Sequence, residues 1–125
     1  GVSGIYEALR SGVLLRAAHQ MRILEETETM EEAMKRLGKG EATITYGIDD
    51  VESASMIGAI EKLILADTML REAEEEQRLR IEKIMREVEQ RQGSVTVVST
   101  EHEAGSKLIA LSGIAALLRF PLYRG

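Results

Sequence analysis

ATITYGIDDVESASMIGAIEKLILA, residues 42–66, changes its periodicity twice in a short space, and that change decides the fold. Residues 42–46 alternate in the period-two manner of a strand, and Gly47 closes it. Asp49 or Asp50 then caps a short helix that carries Val51, Ala54 and Ile57 on one face and stops at Gly58. KLILA, residues 62–66, is apolar on both faces, which predicts a strand in the middle of a sheet.

Working upstream, Ile23, Thr27, Met30, Met34 and Leu37 recur at helical spacing, with Glu31–Lys35 and Glu32–Arg36 paired four apart on the other side. Gly38 and Gly40 supply the stop. Residues 4–21 are also helical in pattern, but Gly12 interrupts them. Residues 1–12 therefore read as the tail of a preceding unit, and 13–125 as the domain proper.

Downstream, residues 68–92 read as one surface helix with an apolar stripe of Ile81, Ile84, Met85 and Val88. The pairs Glu74–Arg78, Glu76–Arg80, Glu82–Arg86 and Glu87–Arg91 support its solvent face. Gly93 ends that helix. A third strand at 94–99, a third connecting helix at 102–111 and a fourth strand at 114–120 complete the chain. Strands alternating with helices predict an α/β layered domain, with helices on both faces of a mostly parallel or mixed sheet.

The composition narrows the function. With 125 residues there is material for one core. The chain has no cysteine, so disulfides, thiolate metal sites and a cysteine nucleophile drop out, and a reducing cytoplasm is the expected compartment. No apolar run approaches the ~20 residues of a membrane span, so no membrane partner is expected. A net charge of -5 repels phosphates, and three tyrosines with Phe120 are too few rings for a base-stacking platform.

Ser99, His102 and Glu103 offer a nucleophile, a base and a carboxylate, but residues so close in sequence seldom align, and no G-x-S-x-G surrounds Ser99. Thr100 and Glu103 fit a T-x-x-E capping box, the preferred reading. His19 and His102 lack partners at zinc-ligand spacing, with His19 placed on a helix and His102 in a cap. Asp49, Asp50 and Glu52 lack an EF-hand pattern and read as helix N-terminal charges. Neither a G-x-x-x-x-G-K-[ST] loop nor a G-x-G-x-x-G turn is present, so no cofactor and no metal is expected.

The segment YGIDDVESASMIGAIEKLILAD resembles the third domain shared by Pelota and the eukaryotic and archaeal class I release factors. VVSTEHEAGSKLIALSGIAALLRFPL is similar to the ending of archaeal Pelota proteins, and GIYEALRSG to the end of that family's central domain. EHEAG and RFP favour Pelota over release factors, whose ending is nearer GGILRY.

The resemblance implies a three-layer α/β/α sandwich with a central mixed sheet, similar to kink-turn-binding ribosomal proteins. It implies a non-enzymatic, monomeric C-terminal arm of a factor that rescues stalled ribosomes in no-go mRNA surveillance. Its partners would be an elongation-factor-like translational GTPase, a ribosome-recycling ATPase, and the ribosome as part of the full-length factor. The stretch matching residues 113–120 binds the GTPase in release factors, so Ile114, Leu117, Leu118, Arg119 and Phe120 are the expected partner contacts. Arg119 leads, because a charged strand-end residue is seldom buried unpaired. Two other readings compete: an RNA-binding module of the kink-turn type, disfavoured by the acidic loops GIDD and STEHEAG, and a hydrolase using Ser99 or His102.

Overall fold

A computed structural model describes residues 2–122. The elements in chain order are α1 (Val2–Gly38), β1 (Ile44–Tyr46), α2 (Ile48–Met56), β2 (Ile60–Ala66), α3 (Asp67–Glu72), α4 (Glu75–Gln90), β3 (Ser94–Val98), α5 (Glu103–Ala110) and β4 (Ile114–Leu118). The four strands form one mixed sheet in the order β1-β4-β2-β3. β4 runs antiparallel to both β1 and β2, while β2 and β3 are parallel.

Alternation along β2 and β4 builds a core on each face of the sheet. Leu63 and Leu65 of β2, with Ile114, Ala116 and Leu118 of β4, meet Val51 and Ala54 of α2 and Ile81, Ile84 and Val88 of α4. Ile64, Ala66, Ala115 and Leu117 turn the other way, onto Met30 and Ala33 of α1 and Ala104 and Leu108 of α5. The result is a three-layer α/β/α sandwich. β2 is internal, as its two-sided apolar pattern requires.

Several local expectations are corrected. α1 continues through Gly12 without a break, at the cost of roughly 1 kcal/mol that an interior glycine imposes relative to alanine. Gly47, at φ 88°, occupies the N-cap of α2, so Asp49 and Asp50 lie in the first turn and complement the helix dipole there. The helix expected over 68–92 is two helices, with Ala73 and Glu74 extended between them. A continuous helix would stack Glu72 against Glu75 and Glu76; the break separates them and places Glu75 and Glu76 at a helix N-terminus.

The capping box is also absent. His102 is the N-cap residue of α5, with no side-chain cap bond. Thr100 Oγ1 instead donates to Asp67 Oδ1 at 3.0 Å, and its N–H donates to the same atom at 3.2 Å. Asp67 closes the β2 end, so this pair ties the exits of the two parallel strands together. Glu103 pairs with Lys107 at 3.6 Å.

Candidate partner-docking site

The sequence points to the end of β4, and the structure divides the five candidates. Ile114, Leu117 and Leu118 are buried, because helices cover both faces of the strand. Arg119 and Phe120 follow the strand and are exposed. A partner can reach only these last two in this structure.

What lies around Arg119 was not legible in its own segment. Its N–H donates to Ala59 O at 2.7 Å, and its Nη2 donates to Arg91 O at 2.6 Å. Arg91 is the C-cap of α4, and its Nη2 reaches Met56 O at the end of α2 at 3.3 Å. Its Nε lies 3.6 Å from Glu87 Oε2. Two guanidinium groups thus sit over helix C-termini, where the partial negative charge of the terminal carbonyls favours them.

Gly58 allows this approach. It sits at φ 71°, and a Cβ there would lie 2.7 Å from Arg91 Nη1. Met56 and Ile57 just before it, and Phe120 just after Arg119, are exposed apolar side chains. Cationic forks held in fixed positions beside exposed Met, Ile and Phe side chains have the composition of a protein-binding patch. The signal available in sequence was Arg91 at the end of an amphipathic helix followed by QG, which marks the turn but not its tertiary partner.

The other end of the sheet holds the residues considered for chemistry. Glu26 Oε1 accepts from Ser99 N–H at 2.6 Å and lies 3.1 Å from His102 Nε2. Ser99 Oγ accepts from the Glu101 N–H at 3.2 Å. Ser99, His102 and Glu103 therefore point to three different partners and form no relay. His19 is exposed on α1, and no three His, Asp or Glu side chains converge on a metal site among the described residues.

A second ion-pair cluster braces the helices on one face. Arg80 Nε and Nη2 each lie 3.1 Å from a Glu52 carboxylate oxygen, and Nη2 reaches Asp49 at 2.8 Å. The hydrogen bond from Arg80 holds the Glu52 carboxyl below its ordinary value, with partial burial opposing it. Arg80 is correspondingly raised. The expected Glu76 partner is thus displaced by two carboxylates from α2.

The α/β/α sandwich with its β1-β4-β2-β3 sheet has the fold of the release-factor-like third domain. The family described as eRF1 domain 3 matches residues 23–122, and the chain belongs to it. Within that family it falls with archaeal Pelota, as the Pelota-type C-terminal domain. It is 40% identical over 120 residues to the protein pelota homolog of Thermococcus onnurineus, covering 96% of this chain and 33% of that protein. A model of ribosome-bound archaeal Pelota and ABCE1 matches with a TM-score of 0.79 at 37% identity, over 98% of this chain and 34% of the other. Saccharomyces cerevisiae Dom34, a translation termination-like factor involved in RNA quality control pathways and interacting with Hbs1, matches at a TM-score of 0.78 and 33% identity, over 98% and 34%. The chain spans about a third of the length of these relatives.

Proposed function

We propose that the chain is the protein-docking arm of a Pelota-type ribosome-rescue factor, working by binding and not by chemistry of its own. Its partners in this reading are an elongation-factor-like translational GTPase and a ribosome-recycling ATPase, met on the ribosome in the cytoplasm. The observation that carries the reading is the corner formed by Arg119, Arg91, Met56, Ile57 and Phe120, where fixed cations border exposed apolar side chains. The Hbs1 interaction of Dom34 and the company of ABCE1 with archaeal Pelota support both classes of partner.

Residues 1–12 belong, in the same reading, to the preceding central domain. The family match begins at Ile23, and the first half of α1 leaves Ile5, Tyr6, Val13, Leu14 and Leu15 exposed, apolar side chains that a neighbouring unit would cover. The domain acts as a monomer.

Calorimetric titration of the chain with the cognate GTPase, comparing wild type with Arg119→Glu after matching their melting curves, tests the docking role. Saturable binding weakened at least about tenfold is the expected result, as for loss of one charged interface anchor. Equal affinity of the two proteins would reject Arg119 as a contact.

A further inference from the structure

β3 is an edge strand, and the direction of its backbone groups follows from the strands beside it. Ala66 donates its N–H to Gly113 O, on the β4 side of β2. Peptide groups alternate sides along a strand, so Lys62 and Ile64 also face β4, while Leu63 and Leu65 face β3. Those two residues have Val95 and Val97 as register partners, and in a parallel ladder they bond to the residues on either side, namely Ser94, Thr96 and Val98. The N–H and C=O groups of Val95 and Val97 therefore point away from the sheet.

Ser99 is the next residue in this outward series, and its N–H does point outward, to the Glu26 carboxylate 2.6 Å away. Glu26 supplies for that amide the acceptor that a neighbouring strand would supply. For Val95 and Val97 no such acceptor exists among the described residues. Alongside them, His19, Arg22 and Ile23 of α1 form the opposite wall of a groove of about 660 Å³. The strand SVTVV has no lysine, proline or bulge, the devices by which exposed edges discourage pairing.

We propose that this edge is a β-augmentation site, in which an extended basic segment of a partner protein lies between β3 and α1 and pairs with Val95 and Val97. Backbone pairing demands an extended chain. The charge of the groove selects its side chains: Glu25 and Glu101 are exposed carboxylates without partners among the described residues, Glu26 and Asp67 are partly offset by His102 and Arg71, and Arg22 is the one arginine or lysine among the residues that line the groove. Val97, 41% exposed, and the half-buried Ile23 offer apolar contact to alternate side chains of the incoming strand.

The probe is a short fluorescein-labelled peptide of alternating lysine and valine, titrated by fluorescence anisotropy. Saturable binding is expected, and N-methylation of one set of alternate peptide amides should weaken it about tenfold or more, as the loss of two backbone hydrogen bonds implies. Methylation of the other set should leave it unchanged. Hydrogen exchange at the Val95 and Val97 amides should slow in the complex, and the double variant Glu25→Lys, Glu101→Lys should bind at least about tenfold more weakly. Absence of saturable binding, indifference to both methylated peptides or to charge reversal, or occupation of the edge by a second copy of the chain in sedimentation would each overturn the proposal.

Discussion

Glu26 in α1 and His102 ahead of α5, 76 residues apart in sequence, share a contact of 3.1 Å between Oε1 and Nε2. A carboxylate only accepts, so the imidazole donates from Nε2. The same oxygen takes the Ser99 N–H, so Glu26 ties α1 to the exit of β3 and the start of α5 through one carboxylate oxygen.

Glu26→Ala should therefore cost about 1 kcal/mol, the lower end of the range for a donor left without its acceptor, because Ser99 and His102 are half-buried. Glu26→Gln keeps an oxygen for Ser99 N–H and should recover most of the loss. Urea midpoints of the three proteins check the order.

Gly105 is the fixed point of the EHEAG segment. A Cβ there would overlap the Ser99 carbonyl oxygen and lie 2.5 Å from the Thr100 Cα, both backbone atoms that cannot step aside. Gly105→Ala should lose about 3 kcal/mol or more, at or beyond the upper end of overpacking costs. Gly38→Ala, with nothing within 4 Å of the added carbon, should instead be neutral or gain about 0.5 kcal/mol. Thermal melts of the two variants separate the cases.

The Arg80–Glu52 fork predicts an acid-side pH dependence. Glu52 has its carboxyl lowered in the folded chain from the ordinary 4.5, so the unfolded chain takes up the proton first. Its stabilisation is fully present above that value and is lost as pH falls through the lowered one. Glu52→Gln should cost about 0.5 kcal/mol near neutrality, the scale of exposed pairs. The difference from wild type should shrink as the pH falls below 4.5 and through the lowered value, as urea midpoints at neutral and acid pH would show.

The junctions from β1 to α2 and from β3 to α5 lie at the same end of the sheet and present Asp49, Glu101 and Glu103, all exposed. A kink-turn RNA placed there would meet carboxylates. Filter binding should find no affinity beyond the nonspecific level, weaker than about 10⁻⁴ M at physiological salt. Tight binding with a steep salt dependence would revive the RNA-binding reading.

The layered fold was readable because its central strand is unambiguous: Leu63, Ile64 and Leu65 in succession suit only a strand covered on both sides. The stripe of Ile81, Ile84 and Val88 likewise marked α4. The break at Ala73 was hidden, since Leu70, Ala73, Gln77 and Ile81 stay in helical phase across it and no Gly or Pro marks it.

Thr100 had a local partner in Glu103 and a distant one in Asp67, and the tertiary bond won. At the candidate site, the apolar run after Gly113 was visible. That both faces of β4 are covered depends on where α1 returns, which no pattern within 114–118 encodes. Arg91 was read only as the partner of Glu87, for the same reason: it meets Arg119 and Met56 only in the folded chain.

The docking corner is tested most directly by backbone NMR of the labelled chain as the cognate translational GTPase is added. Shifts and broadening should cluster at Met56, Ile57, Gly58, Arg91, Arg119 and Phe120. A cluster at 47–50 and 99–103 instead, at the acidic end of the sheet, would contradict the placement of the site.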